Sequence, residues 1–325
     1  MSVSADSTAE VSEHRSFDIL GIGMSMIDSI QVVDEFPSGA GVTESSLATL
    51  MGGGPVPTAL CAASALGGRT AMIDQIGDDW RAGLIQRDFE KFGVDCRYLK
   101  RQEKRSSSLG AVLVRQVDGE RHIVFSRGTF DELSSSQLPV KDLETCSILH
   151  LNGRHWDSAC EAARLVKGGR GRVSFDGGAN RYERRFIPLL AEVDILIVAR
   201  DFAEKLSKSK DRESQLTALR QWDAELVGIT DGKNGSWFQP RGEAWFHQPA
   251  FAISPVIDTT GCGDAFHGAF LYSLSKGDSW KECAAFASAA AACNATALGG
   301  RGDLPSRERV LAMLESQAFT LLQGE

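Results

Sequence analysis

The sequence lacks the features that would mark a membrane, secreted or nucleic-acid-binding protein. No apolar run among its 325 residues approaches the length of a membrane span, so we expect no transmembrane segment and no membrane partner. Residues 1–15 are polar and hold no apolar stretch, which predicts a flexible tail rather than a secretion signal. Lysine and arginine number 35 against 43 acidic residues, and this acidic balance argues against nucleic acid as a partner.

Cysteine and histidine are too scattered for a disulfide framework or a zinc site. None of the seven cysteines forms a Cys-x-x-Cys pair, and an odd number of dispersed cysteines favours reduced thiols in the cytoplasm. Of the six histidines, His150, His155 and His247 lack the spacing of zinc ligands. Hydrophobic residues make up 42% of the chain, which is ordinary for a globular protein with a sizeable core.

The order of the apolar runs predicts the fold. From about residue 147 onward, buried strands alternate with helices, which is typical of a parallel sheet covered on both faces. Two stretches, about 29–50 and 106–127, interrupt this order because they are β-rich and supply no helix. The second contains the hairpin signal Asp118-Gly119. We expect one three-layer α/β/α, Rossmann-like domain over residues 16–325, with the two stretches forming a small β-sheet lid.

Residues 257–270, IDTTGCGDAFHGAF, place glycines at the start of a predicted helix. Free N–H groups and the helix dipole make such an N-terminus a binding site for anions, and Gly261 and Gly263 allow close approach of the backbone. Asp264 would lie beside the anion, where a carboxylate is useful if it accepts the proton of a hydroxyl that attacks a phosphate. The stretch therefore predicts alcohol phosphorylation, with Asp264 as general base and the 261–264 amides as an anion hole. A simple helix N-cap is the alternative interpretation.

The same stretch closely resembles DTTGAGD-A-F, the signature of the ribokinase-like (PfkB) carbohydrate kinases, with Cys262 in place of the usual alanine. The resemblance extends from about residue 17 to 310 and implies the ribokinase fold. Thr58 stands where the family's first glycine signature commonly has asparagine. Other segments that resemble family motifs are GGGPVPTALCAASALGG (52–68), IGDDWRAG (76–83), VGITDGKNGSWF (227–238) and LGGRGDLP (298–305).

This resemblance implies ATP as phosphoryl donor, Mg²⁺ as its counter-charge and a monovalent cation such as K⁺ behind the anion hole. The residues implied for the nucleotide are Thr230, Gly232, Gly235 and Asn294, those for sugar hydroxyls are Asp28, Gly53 and Gly54, and those for the monovalent cation are Asp258 and Thr260. One element departs from the family. Where the family usually has the pattern N-x-x-E, this chain has Ala199 in place of the Asn and Phe202 in place of the Glu. Asp201 and Glu204 lie nearby, but not at the positions of that pattern.

The residues that would select the sugar point to an anionic or ketose substrate. Arg154 follows a strand at the edge where α/β proteins gather ligands, and it could bind an anionic substituent. Together with Thr58, it resembles the sulfofructose-kinase branch of keto-sugar kinases. That branch's lid lysine and pocket asparagine fall near Val42 and Phe125 here, and Arg127 lies beside them. A different ketose, a ketose phosphate or a sugar acid therefore stays open.

Two other functions stay open at this point. One is a nucleoside kinase of the same fold, and the other is a non-catalytic sugar or nucleotide sensor on a kinase scaffold. The altered segment around Ala199 motivates the sensor, whereas the intact GCGD argues against it, since a sensor needs no base there. The strand edges of the predicted lid favour pairing, so we expect a homodimer through the lid. The overall prediction is a cytoplasmic ATP-dependent kinase of a small carbohydrate.

Overall fold

The structure is a computed structural model that describes the backbone of residues 16–323 and the side chains of residues 16–316. The flexible tail expected over residues 1–15 lies outside the described residues. In chain order the strands are β1 (Ile19–Ile22), β2 (Met26–Val33), β3 (Leu47–Gly53), β4 (Thr70–Gly77), β5 (Leu99–Gln102), β6 (Ser108–Arg115), β7 (Arg121–Ser126), β8 (Ile148–Leu151), β9 (Arg172–Gly177), β10 (Ile195–Ala199), β11 (Leu226–Thr230), β12 (Ser236–Pro240) and β13 (Phe246–Gln248). The helices are α1 (Pro55–Ala65), α2 (Trp80–Phe92), α3 (Val140–Thr145), α4 (Trp156–Gly168), α5 (Ile187–Leu190), α6 (Arg200–Ser207), α7 (Arg212–Leu219), α8 (Cys262–Ser275), α9 (Trp280–Asn294) and α10 (Arg307–Gln323).

The large sheet holds nine of these strands, in the order β13-β12-β11-β10-β9-β8-β1-β4-β5. Its strands from β11 to β5 run parallel, and β12 and β13 add an antiparallel hairpin at one edge. Strand β4 is buried along its whole length, as expected for a parallel strand covered on both faces. The predicted α/β class with a largely parallel sheet is confirmed.

Helices cover both faces of this sheet. In β10, Ile195 and Ile197 pack into one core and Leu196 and Val198 into the other, because successive side chains of a strand point to opposite faces. Helices α1, α2, α8 and α9 complete the first core, and α4, α6 and α7 complete the second. The three-layer architecture is therefore confirmed. Within the described part of the chain, no helix has the length and apolar character needed to cross a bilayer.

A second sheet has four strands in the order β3-β2-β6-β7. Its strands lie within or close to the two β-rich stretches that interrupt the sequence pattern, so the predicted small sheet is confirmed. Val112 and Val114 of β6 pack with Ile30 of β2 on one face, whereas β7 is exposed throughout. The role of this sheet as a lid, and the single domain over residues 16–325, stay predictions.

Three elements differ from the sequence-based expectation. Strand β5 and helix α3 are not predicted, because LKRQ and VKDLET are too short and too polar to show a period. The helix expected over 183–191 is a 3₁₀ turn at Arg184–Phe186 followed by the single turn of α5. The reason is Pro188, which has no N–H to bond back to the carbonyl of residue 184.

Candidate functional site

Helix α8 begins without a side-chain cap on its first turn. Gly261, its N-cap residue, has φ 70° and makes no side-chain capping bond. A Cβ at Gly261 would lie 2.4 Å from the carbonyl oxygen of Gly300, so only glycine fits this turn. Gly263 is exposed and has open space where a Cβ would be. The first turn of α8 therefore offers free N–H groups to an anion, which disfavours the simple N-cap interpretation.

Asp264 occupies the first turn of α8, as the sequence predicts. Burial raises the pKa of its carboxyl group, and repulsion from Asp176 raises it further, while Arg181 and His267 oppose the shift. A carboxylate with a raised pKa is a better proton acceptor near neutral pH than one with the usual value. The geometry and the electrostatics both fit Asp264 to the role of a base beside an anion.

Asp176, at the end of β9, is the neighbour that repels Asp264. It is almost fully buried, and its Oδ1 lies 3.3 Å from Nε2 of His267. Arg181 lies 3.9 Å from its other oxygen. Burial would raise the pKa of Asp176, but the pairing with His267 outweighs burial and lowers this pKa to about 2. Asp176 is therefore ionised, and it supplies a fixed negative charge next to Asp264.

Three buried polar atoms near these carboxylates have no hydrogen-bond partner among the described residues: Nδ1 of His267, Nε2 of His150 and Oδ1 of Asn152. The rings of His150 and His267 lie 5.3 Å apart. Burial lowers the pKa of His150 to about 3, so its imidazole is neutral. Because buried polar groups are normally paired, these atoms are candidates to bind the hydroxyl groups of a ligand.

Sequence analysis missed Asp176 and Asn152 as site residues. A signal for both exists, because each is the polar residue that ends an apolar run, in VSFD and in ILHLN. Polar residues at the carboxyl ends of parallel strands are where α/β folds bind ligands. What the sequence does not reveal is that the two strand ends are adjacent, which follows from the pairing of β8 with β9.

The residues predicted to bind sugar hydroxyls gather at the junction between the two sheets. A Cβ at Gly53 would lie 2.1 Å from Oδ2 of Asp28, so a side chain there would displace that carboxylate. Gly54 has φ 96°, a backbone conformation that favours glycine. Burial raises the pKa of Asp28 to about 6, Arg301 opposes the shift and Asp264 adds to it. The structure thus places Asp28 within electrostatic reach of Asp264. Thr58 lies behind the glycines, where its hydroxyl accepts a hydrogen bond from Arg301.

Arg154 lies in a cationic corner of the site. Its side chain is half-buried and makes no hydrogen bond or ion pair with another described residue. Burial and repulsion from Arg127, Arg181 and Arg185 lower its pKa, and Glu132 opposes this. Four guanidinium groups converge there, two of which sequence analysis did not identify. An unpaired, half-buried guanidinium among other arginines is suited to bind an anionic group.

The loop that carries Arg154 is anchored by the next residue. Nε2 of His155 lies 2.6 Å from Oδ1 of Asp74, a buried residue of β4. Nδ1 of His155 lies 3.4 Å from Glu132, which also pairs with Arg127. The same network therefore holds both arginines that the sequence predicts to contact the substrate.

Three of the four residues predicted to bind nucleotide lie together at the end of β11 and in the turn that follows it. Thr230 ends β11, and the turn that follows contains Gly232 and Gly235, each with positive φ. Gly232 has open space where a Cβ would be, so its backbone is accessible to a ligand. The contact of Asn294 with nucleotide stays a prediction. Asn294 is fully buried, and its Nδ2 donates to the carbonyl oxygens of Thr260 and Gly300, so it braces the anion-hole loop.

The predicted cation ligands lie behind the anion hole. Oδ1 of Asp258 accepts hydrogen bonds from both the amide and the hydroxyl of Thr260, and Oδ2 accepts one from the amide of Gly299. No group of three or more His, Cys, Asp or Glu residues in the described chain could hold a metal ion. The monovalent cation therefore stays a prediction. Burial raises the pKa of the Cys262 thiol to about 12, which favours its protonated form.

Comparison with known proteins agrees with this fold and site. A sequence model of the pfkB family carbohydrate kinases matches residues 17–307. A fructokinase from Vibrio alginolyticus is 29% identical over 310 residues, 87% of this chain and 96% of that protein. An ATP-dependent ribose-1-phosphate kinase from Halopiger xanaduensis is 26% identical over 300 residues, 92% of this chain and 98% of that protein. The structure of Arabidopsis thaliana ribokinase complexed with ribose and ATP aligns with a TM-score of 0.78 at 22% identity, over 92% of this chain and 98% of that one.

The three-layer fold with its second small sheet defines the class, a protein with the ribokinase fold. Within that class, the chain belongs to the pfkB family of carbohydrate kinases. The family resemblance found in the sequence is therefore confirmed, and so is the prediction of a carbohydrate kinase. The sulfofructose and keto-sugar branch is a finer assignment, and it stays a prediction.

Proposed function

We propose that this chain is an ATP-dependent kinase of a small carbohydrate, with Asp264 as general base. The observation that carries the proposal is the placement of a carboxylate with a raised pKa in the first, uncapped turn of α8. Asp28 lies within electrostatic reach, so a sugar hydroxyl held by Asp28 would be close to the base. The amides at 261–264 would hold the phosphoryl group during transfer.

The proposed reaction is an in-line displacement. The sugar hydroxyl oxygen attacks the γ-phosphorus of ATP and its proton passes to Asp264. The bond between the γ-phosphorus and the bridging oxygen breaks, and ADP leaves. Gly261 and Gly263 bring backbone N–H groups close to the equatorial oxygens, where negative charge is concentrated. The fixed negative charge of Asp176 raises the pKa of Asp264, and a carboxylate with a higher pKa is a stronger proton acceptor.

The segment that replaces the family's N-x-x-E pattern does not supply the residues that usually help to organise Mg²⁺. Phe202 is packed in the core, while Asp201 and Glu204 on α6 form ion pairs with Lys205 and Arg200. Within residues 16–316, no group of three or more His, Cys, Asp or Glu side chains takes the place of that pattern. Mg²⁺ would accompany ATP through its phosphates, and no step of the reaction is assigned to a protein ligand of the metal.

The substrate we propose is a sugar that carries an anionic substituent, such as a sugar acid, a sugar phosphate or a sulfonated ketose. Arg154 supports this choice, because it is an unpaired guanidinium beside Arg127, Arg181 and Arg185. Arg127, Arg181 and Arg185 each pair with a carboxylate, so a neutral sugar would leave only the charge of Arg154 without a partner. A carboxylate, phosphate or sulfonate on the sugar would pair with it.

The test is ADP release with MgATP over a panel of neutral ketoses, sugar acids, sulfonated sugars, sugar phosphates and nucleosides. We expect turnover with an anionic sugar, and a KM for it at least tenfold higher in Arg154→Met, with the KM for ATP unchanged. Arg164→Met is the matched control, since Arg164 lies on the exposed face of α4 and pairs with Glu161. Turnover of nucleosides alone would identify a nucleoside kinase, and binding without turnover would identify a sensor.

Two further parts of the proposal concern assembly and location. We propose a homodimer formed through the small sheet, because both edge strands, β3 and β7, carry exposed apolar residues. We also propose a cytoplasmic location, which is supported by the buried thiols of Cys61, Cys283 and Cys293, none of which forms a disulfide.

A further inference from the structure

Arg301 is a buried cation beneath the residues proposed to bind the sugar. Its side chain is 2% exposed. Nε donates to Oγ1 of Thr58 at 3.1 Å, Nη2 donates to the carbonyl oxygen of Gly53 at 3.0 Å, and Nη1 pairs with Asp88. These contacts join segments that are more than 200 residues apart in the chain. A guanidinium bound in three directions fixes the orientation of the groups around it.

The ion pair between Arg301 and Asp88 also fills the space beside Gly52. A Cβ at Gly52 would lie 2.2 Å from Oδ2 of Asp88 and 2.3 Å from Nη1 of Arg301. The end of β3 is therefore pressed directly against the ion pair. The position of the turn that follows, with Gly53 and Gly54, depends on where this pair lies.

The residues immediately before Arg301 contact the anion-hole loop. The amide of Gly299 donates to Oδ2 of Asp258 at 2.8 Å, and the backbone of Gly300 packs against Gly261. Three successive residues thus touch three parts of the site: the candidate cation ligand, the anion hole and the sugar-binding turn.

We infer that Arg301 is a positioning residue for the sugar, which fixes the turn at Gly53 and holds it at a set distance from the anion hole. The inference rests on the proposed sugar kinase function, because it assigns a role within that site. Arg301 itself does not reach the reacting atoms. It acts through Gly53, Thr58 and Asp28.

The charge of Arg301 has a separate effect on Asp28. Burial raises the pKa of Asp28 to about 6, the positive charge of Arg301 lowers it, and the negative charge of Asp264 raises it. Asp88 also lies beside the guanidinium and partly offsets its charge. Without the guanidinium, Asp28 would ionise only at higher pH, and it would accept a hydrogen bond from the sugar over a narrower pH range.

Two substitutions separate these effects. Arg301→Lys keeps the charge but loses the three-way bonding, and Arg301→Gln loses both. Arg309→Gln is the control, since Arg309 lies in the same C-terminal segment but forms an exposed ion pair with Asp303. The readouts are the KM for the sugar, the KM for ATP, kcat, and the pH profile of kcat/KM, with the sugar that the panel identifies.

We expect both Arg301 variants to raise the KM for the sugar at least tenfold while the KM for ATP changes less than twofold. We expect Arg301→Gln alone to move the acidic limb of kcat/KM upward by at least half a pH unit. The inference is overturned if the sugar KM matches that of Arg309→Gln, or if kcat and both KM values change together with a loss of melting temperature.

Hydrogen exchange measured by mass spectrometry on the protein without ligand provides a readout that does not need a substrate. In Arg301→Lys, we expect faster exchange over residues 51–58 and unchanged exchange over β10 and β11. If no sugar on the panel is phosphorylated, the proposed function has failed, and faster local exchange would still support the positioning role. Unchanged exchange over 51–58 would overturn it.

Discussion

Asp28 and Asp264 are two acidic residues whose surroundings disfavour their charged form. Both carboxyl groups are shifted toward the neutral form, chiefly by burial and partly by a neighbouring carboxylate, which is Asp264 for Asp28 and Asp176 for Asp264. Such placement costs stability, and it is commonly found where a group has a chemical task. Asp176 has the opposite character, since its pairing with His267 lowers its pKa to about 2.

The shift of Asp28 predicts a stability effect with a definite sign. Its pKa of about 6 in the folded protein lies above the value of 3.8 for an unperturbed aspartate, so ionisation of Asp28 destabilises the fold. This cost is absent below about pH 4, grows between pH 4 and 6, and is constant above pH 6. We therefore expect Asp28→Asn to raise the free energy of unfolding at pH 8 by roughly 1–3 kcal/mol.

Urea denaturation of wild type and Asp28→Asn at pH 5 and pH 8 measures the free energy of unfolding of each protein. The increase caused by Asp28→Asn should be smaller at pH 5 than at pH 8. Asp176→Asn is the paired control and should lower stability, because it removes a carboxylate that the fold stabilises. An Asp28→Asn protein that is less stable than wild type at pH 8 would contradict the account.

At the scale of elements, the anion hole depends on two glycines that differ in their surroundings. Gly261 has positive φ and no room for a Cβ, whereas Gly263 has open space. We expect Gly261→Ala to lose at least about 1 kcal/mol of unfolding free energy through backbone strain and the contact with Gly300. Gly263→Ala should keep its stability or gain slightly, since alanine favours helix. Thermal denaturation of both variants checks this, and equal melting temperatures would rule out the proposed strain.

The elements also show what the sequence can predict. The alternation of strands with helices, the small sheet and the start of α8 follow from apolar periods and glycine placement, which are local properties. Strand β5 lacks such a period and is held by its pairing with β4. The contacts of Arg301 with Gly53 and Thr58, and the burial of Asn294 under the anion-hole loop, arise from segments far apart in sequence. No local pattern encodes such contacts, so the structure was needed to find them.

At the scale of the whole molecule, the small sheet has two edge strands that carry exposed apolar side chains. The exposed large side chains on it are Leu47, Leu50, Ile123, Val124 and Phe125. We expect these to be covered by the same surface of a second copy. Light scattering after size-exclusion chromatography should give twice the monomer mass for wild type and for Val140→Lys, whose site is on α3. It should give the monomer mass for Val124→Lys. A monomeric wild type at micromolar concentration would refute the homodimer.

The central claim is that Asp264 removes the proton from the sugar hydroxyl, and the rate of ADP release by Asp264→Asn tests it most directly. With the sugar that wild type phosphorylates and saturating MgATP, we expect kcat to fall by roughly 10²–10⁴-fold, the usual contribution of a general base. The KM for ATP should stay within about threefold, because the amides of α8 remain in place. An Asp264→Asn protein with the wild-type kcat would contradict the assignment of Asp264 as the base.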